Sequence, residues 1–279
     1  MPVRIVTDST CDLPPSLVEA HGITVVPLTV FFGEEALLDS VDISAPEFYE
    51  RMTASGALPR TSQPSVELFR RAYLEAAENG EEIVSIHLSS KLSGTLNAAS
   101  VAREEVAPEV HVDLIDSYNV SLGLGLIVLE AARAAQAGAT LAQVVATARR
   151  VMDRVSVYVC VDTLEYLKKG GRIGRASSFL GSVLSIKPIL HVEDGEVAPF
   201  ERIRTRAKAT ERLFQIAASQ ARAKEMFVAA GGDDTTAREL IDRLRPILPH
   251  TDLFVGQLGP VVGVYTGPGA LGIAALERE

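Results

Sequence analysis

The chain has 279 residues, 47% of them apolar and 23% charged, with a formal net charge of −9 and two cysteines. That length exceeds one ordinary domain and that composition is far from a disordered one, so two packed domains are expected. Phosphate neutralisation needs a positive surface, so the acidic balance argues against general nucleic-acid binding, and no run reaches the ~18 apolar residues of a membrane span.

In chain order, "VRIVTD" reads as a short strand, and "PPSLVEAHG" as a helix with prolines at its start and Gly22 beyond its end. "ITVVPLTVFF" is expected as a second strand and "SAPEFYERMTASG" as a helix capped by Ser44, with Pro46 in its first turn. "ALPRTSQPS" reads as a hydroxyl-rich loop before the helix "VELFRRAYLEAAENG", Ser62 being its expected cap. "EIVSIHLSS" then leads into a helix from about Gly94, and "VHVDLIDS" into the apolar helix "GLGLIVLEAARAAQAG". Strands alternating with helices predict a mostly parallel sheet flanked by helices. Three strand ends open onto Ser, Thr or Asp: "TDSTCD", "SSKLSGT" and "DSYNVS".

Near residue 155 the texture changes. "VSVYVCVD" reads as a strand, "TLEYLKKGG" as a short helix stopped by glycines, and "ASSFLGSVLS" as a buried helix. Asp194-Gly195 between two apolar runs predicts a β-hairpin. The helix "KATERLFQIAASQARA", the strand "EMFVAAGG", the helix "TARELIDRLRPI" and a last strand region, "DLFVGQLGPVVGVYTG", complete a second α/β unit with a mixed sheet. The fold class is therefore α/β with two α/β domains, 1–158 and 159–279. From Lys168 to Lys208 nine basic residues face four acids, a local +5, which predicts one basic surface. Cys11 and Cys160 sit in strand-like runs without a C-x-x-C, as reduced, half-buried thiols do, and an acid at Asp8 comes too early for a signal peptide, so the cytoplasm is the expected compartment.

Most chemical motifs are excluded by context. "GPGALG" at 267–272 matches G-x-G-x-x-G, but seven residues remain after it, too few for a dinucleotide fold, and a tight loop with positive φ is the better reading. Gly-Lys never occurs, which removes a Walker loop. The histidines at 21, 87, 111, 191 and 250 are scattered singly, so a metal site has no starting point. What survives is the set of hydroxyls at strand ends. A helix N-terminus after a strand offers free N–H groups and the positive end of the helix dipole to an anion, so Ser93 and Thr95 stand either as local caps or as anion ligands. Thr61 and Ser62 carry the same two readings, and Asp8, Ser9, Asp116 and Ser117 read either as ligands or as loop-fixing turns.

Taken in order, "TDSTCDLP", "RTSQPS", "SSKLSGT", Asp116-Ser117 with "GLG" at 123–125, "TLEYLKKGGRIG", "KPIL" and "TGPGALG" resemble the DegV family, fatty-acid-binding proteins that include the FakB subunits of bacterial fatty acid kinase. The resemblance spans about residues 3 to 275. It implies one long-chain fatty acid such as palmitate as ligand, no cofactor or metal, and a lipid tunnel between or beneath the domains. The carboxylate would be held by Thr61 and Ser93, with Ser62, Tyr265 and Thr266 nearby; many relatives carry a histidine where this chain has Tyr265, and a phenol does not become cationic near neutral pH. It further implies no catalytic residue and no permanent membrane insertion. The carboxylate would be presented to a separate ATP-dependent fatty acid kinase subunit, with Arg172, Arg202 and Arg204 at the docking surface. An autonomous hydrolase acting through Asp8 or Asp116 is the competing reading, and a nucleic-acid binder using the basic stretch a weaker third.

Overall fold

Apolar β-branched runs in the first half become a parallel sheet buried on both faces, as crossover helices require. The computed structural model describes residues 2–56, 58–180 and 186–279. The first half contains β1 (Val3–Asp8), α1 (Pro15–Ala20), β2 (Thr24–Val26), β3 (Thr29–Phe32), β4 (Glu35–Leu38), α2 (Ala45–Ser55), β5 (Arg60–Ser62), α3 (Val66–Ala76), β6 (Glu82–His87), α4 (Thr95–Val106), β7 (Val112–Asp116), α5 (Leu122–Gln136) and α6 (Leu141–Met152). The second half contains β8 (Val155–Cys160), α7 (Glu165–Lys169), β9 (Ile189–Glu193), β10 (Glu196–Glu201), α8 (Arg206–Ala218), β11 (Ala223–Ala230), α9 (Thr235–Leu244), β12 (Asp252–Gln257), α10 (Pro260–Thr266) and β13 (Leu271–Glu277).

Strands β2, β1, β6 and β7 form the parallel sheet in that order, and β10, β9, β8, β13, β11 and β12 a mixed six-stranded one. The fold is thus the α/β class anticipated, and the β9–β10 hairpin turns at Asp194 and Gly195, both with positive φ (51° and 77°). The apolar α5, with Leu124, Leu126, Ile127 and Val128 fully buried, lies in the main core, which also takes residues from β1, β6, β11 and β13. Burying each such side chain contributes about 1.5–3 kcal/mol, so this helix is the principal adhesive between the two sheets.

The structure corrects several sequence expectations. "ITVVPLTVFF" is not one strand: Pro27 lacks the N–H a ladder needs, the chain leaves the parallel sheet after Val26, and β3 starts a third, antiparallel sheet of order β4-β3-β5. Residues 60–62, expected as loop, are β5, with Thr61 opposite Val30. The helix after them is capped by Ser65, whose Oγ accepts the Leu68 N–H at 3.2 Å, rather than by Ser62. "ASSFLGSVLS" was expected as a helix; residues 174–179 form a 3-10 helix, and 181–185 lie outside the described residues. In the last strand region only residues 252–257 are extended, because Gly259-Pro260 opens α10 and Asp12 accepts the Gly259 N–H at 3.0 Å. Cys11 is buried in a 3-10 turn rather than a strand.

Candidate functional site

The site begins at the carboxyl ends of β1 and β6. Asp8, at the end of β1, is fully buried and acts as an acceptor in every direction: Oδ1 takes the Thr10 N–H (3.1 Å) and hydroxyl (2.5 Å), and Oδ2 takes the Leu88 N–H (3.0 Å) and His87 Nδ1 (3.0 Å). On the other side of the ring, His87 Nε2 lies 2.6 Å from Ser85 Oγ, which lies 2.9 Å from the Tyr73 hydroxyl. This buried chain of polar groups fixes Thr10 and Leu88, which both line a cavity. Asp8 is therefore enclosed and saturated, and Asp116 is tied up by the N–H groups of Ser90 (3.3 Å) and Tyr118 (3.0 Å) as a loop-fixing turn. Neither lines the cavity.

The cavity, about 280 Å³, lies where the third sheet and the β6–α4 loop, from the first half of the chain or first lobe, meet α7, β10 and α10, from the second half or second lobe. Its walls include Thr61, Ser62, Ser93, Tyr265, Thr266 and Arg172, so six of the eight site and docking residues implied by the family resemblance line one space. The Thr61 hydroxyl and the Tyr265 phenol are 2.6 Å apart. Ser93 Oγ sits 2.9 Å from Thr95 Oγ1 and accepts the Thr95 N–H at 3.3 Å, while Gly94 occupies the cap position of α4. Ser93 thus braces its own helix start and faces the cavity at once. Thr266 donates to Val262 O at 3.1 Å, a backward bond within α10 that leaves its hydroxyl proton committed. Arg172 is exposed at the rim. Its Nε donates to Leu92 O at 3.1 Å, and its guanidinium lies 5.3 Å from the Tyr265 ring centre, a cation–π contact. Arg202 and Arg204 are not cavity residues: Arg202 covers the Phe179 ring and donates to Ser178 O at 2.9 Å. Of the basic stretch, Arg175, Lys187 and Arg206 are paired with acids, so its surface is less positive than the residue count predicts.

Sequence reasoning missed the apolar walls: Leu28, Leu88, Leu92, Leu167, Val197, Val261 and Val262. No local signal marks them, since each looks like ordinary core. Five wall residues, Val120, Leu167, Val197, Val262 and Thr266, are shared with a deeper chamber of about 70 Å³ between the six-stranded sheet and the start of α5. Its exposed wall is wholly apolar. The two spaces abut across these five shared residues, with hydroxyls and a guanidinium on the first and an apolar surface lining the second.

Outside the cavity two acids, Asp39 buried and Asp12 partly so, pin the pieces together. Asp12 accepts from Ser121 Oγ at 2.5 Å and from Gly259 N, tying the starts of α5 and α10; desolvation pushes its carboxyl well above the usual range, with Asp39 adding repulsion. Asp39 accepts from Ser9 Oγ (2.8 Å) and Ser40 Oγ (3.0 Å), and desolvation raises it to about 6. From the second lobe, the hairpin tip reaches across: Ser89 Oγ donates to Gly195 O at 2.7 Å. Nothing larger than hydrogen fits there, since a Cβ on Gly195 would lie 2.5 Å from Ser89 Oγ.

Among known families, the model described as "Uncharacterised protein, DegV family" matches residues 2–278. A DegV domain-containing protein of Streptomyces coelicolor is 43% identical over 99% of both chains. Among solved structures, one from Thermus thermophilus, titled for the fatty acid binding of a DegV family protein, superposes with a TM-score of 0.91 at 37% identity over 100% of both chains. A stearic-acid-binding protein from Eubacterium ventriosum gives 0.91 at 28% identity, over 99% of this chain and 98% of its own.

Proposed function

This chain belongs to the DegV family, and from that premise we propose that it binds one long-chain fatty acid as a carrier without catalytic residues of its own. The observation that carries the reading is the compartment itself: hydroxyls of Thr61, Ser93 and Tyr265 and the Arg172 guanidinium at its rim, apolar wall at depth. An ionised carboxylate is costly to bury alone, but charge-assisted donors contribute about 1.5–3 kcal/mol each. The acyl chain adds about 0.8 kcal/mol per methylene as an upper bound, offset by the ordering of chain and protein. An acid of palmitate size therefore has a favourable partner at both ends. The fatty-acid-binding relatives at TM-scores above 0.9 support the same ligand class.

The finer reading is that the carrier hands the carboxylate to a separate kinase subunit. A carboxylate oxygen bonds to the γ-phosphorus of ATP, ADP leaves, and an acyl-phosphate results. Arg172, at the rim beside the hydroxyls, would meet the incoming phosphate, and Arg202 and Arg204, exposed on the same lobe, an acidic kinase surface. The placement of Asp8 and Asp116 supports a carrier over an autonomous hydrolase, because neither carboxylate lines the cavity.

Solvent extraction of the purified chain followed by mass spectrometry tests this. A stoichiometric C14 to C20 acid is expected, and a Thr61→Ala, Ser93→Ala double variant should lose it while remaining folded. An empty wild-type chain, or full lipid content in the double variant, would refute the carboxylate site. Loaded protein with ATP should give acyl-phosphate only when a fatty acid kinase subunit is added.

A further inference from the structure

We infer that Gly272 sets the greatest acyl-chain length the compartment accepts; the inference rests on the fatty-acid-carrier reading. Gly272 lies inside β13, paired with Val159 on one side and Ala229 on the other, and Ala229 is in turn paired with Gly256. A glycine inside a buried strand loses more conformational entropy than any other residue and adds no packing, so its presence calls for a reason.

Two common reasons fail here. Its φ is not positive, so the backbone does not require glycine. Nor does a neighbour crowd it: the atoms nearest to a Cβ there would be Tyr158 O at 3.5 Å and Val159 side-chain atoms at 3.8 and 3.9 Å, ordinary contacts. Gly256, two strands away in the same row, behaves oppositely, since its Cβ would lie 2.7 Å from Leu122 Cδ1. Leu122 fills the room above Gly256, whereas no side-chain atom comes closer than 3.8 Å to a Cβ at Gly272, which lines the deep chamber.

The direction of the ligand follows from the polar rim. With the carboxylate at Thr61 and Ser93, the methyl end runs past Val120, Val197 and Val262 into the deep chamber, toward Val159, Gly272 and Ala274. Side chains on one face of a strand alternate, and Gly272 and Ala274 share the face opposite Ile273, which belongs to the other core. A side chain at position 272 would therefore project into the space the last carbons of the acid occupy.

The test compares myristate, palmitate and stearate in the wild-type chain, Gly272→Ala and Gly272→Val, by displacement of a fluorescent fatty acid from the full-length, delipidated protein. Both replacements suit a strand, and the lack of crowding predicts thermal midpoints no lower than wild type. In Gly272→Val, myristate affinity should stay within about threefold of wild type. Stearate should fall more than tenfold, at about fourfold per methylene displaced, with Gly272→Ala between. An unchanged length profile in a folded Gly272→Val overturns the inference while leaving the carrier reading intact, and so does equal loss of all three acids, because a length limit discriminates. A wild-type chain that binds none of the acids overturns the carrier reading, and the inference with it.

Discussion

Replacing Tyr265 by Phe removes one oxygen from the rim and nothing else. The phenol stands 2.6 Å from Thr61 Oγ1, and the ring beneath the Arg172 guanidinium survives the change, so packing at the mouth is retained. Each hydroxyl carries one proton, so both donate to a carboxylate only when the ligand replaces their mutual bond; in Tyr265→Phe the ligand loses one of these two charge-assisted donors. At about 1.5–3 kcal/mol for such a bond, and tenfold in affinity per 1.4 kcal/mol, palmitate should bind about 10- to 150-fold more weakly. Methyl palmitate has the same tail and a neutral head, for which a hydrogen bond contributes about 0.5–1.5 kcal/mol, so its loss should be smaller. Isothermal titration of both ligands into both proteins measures the difference. A change below threefold for the acid, or equal losses for acid and ester, would refute the assignment of Tyr265 as a carboxylate donor.

Removing the buried acceptor in Asp8→Ala strands the Nδ1–H of His87, the N–H of Leu88 and both donors of Thr10. Urea denaturation should show a loss of about 3–5 kcal/mol, and a loss under 1 kcal/mol would show that water replaces the carboxylate. Asp39 has a folded pKa of about 6, above its ordinary 3.8, so the folded state binds more protons than the unfolded one between those values. Stability relative to Asp39→Asn should accordingly be greatest below about pH 4 and decline by about 3 kcal/mol as the pH rises through 6, a window in which thermal melts of the two proteins can be compared. A difference that does not vary with pH would contradict the raised value. Gly195→Val combines a positive φ with a clash against Ser89 Oγ and should loosen the hairpin from the first lobe. Stopped-flow release of a fluorescent fatty acid should speed up several-fold, and an unaltered rate would mean that the hairpin does not limit exit.

The parts legible in the sequence were those with a local cause. Asp194-Gly195 could be read as a hairpin because both residues take positive φ, and the strand–helix alternation of the first half follows from its periodicity. Of the polar residues of the site, Ser93 was visible at a strand end and Thr61 and Ser62 in a hydroxyl-rich loop, divided between caps and ligands, while Tyr265, Thr266 and Arg172 were marked only by the family resemblance. α10 was unreadable: "PVVGVYT" has strong strand propensity, and helix forms because Pro260 starts it, Asp12 holds its first turn, and burial against Phe48 and Tyr49 outweighs intrinsic preference. β5 was missed because three residues carry no periodicity; its identity comes from pairing with β3. The deep chamber draws on β8, β9, β10, β11, β13, α5, α7 and α10, and only the finished sheet reveals that a gap is left between them.

The same compartment takes Thr61 and Ser93 from one lobe and Leu167 and Val197 from the other. A guest lying across that seam acts as a clasp, and its grip adds to the cohesion of the protein in proportion to the logarithm of its free concentration over Kd, about 2.7 kcal/mol at a hundredfold excess. On the carrier reading, heat resistance of a preparation should rise with the lipid it carries, and delipidation should lower it.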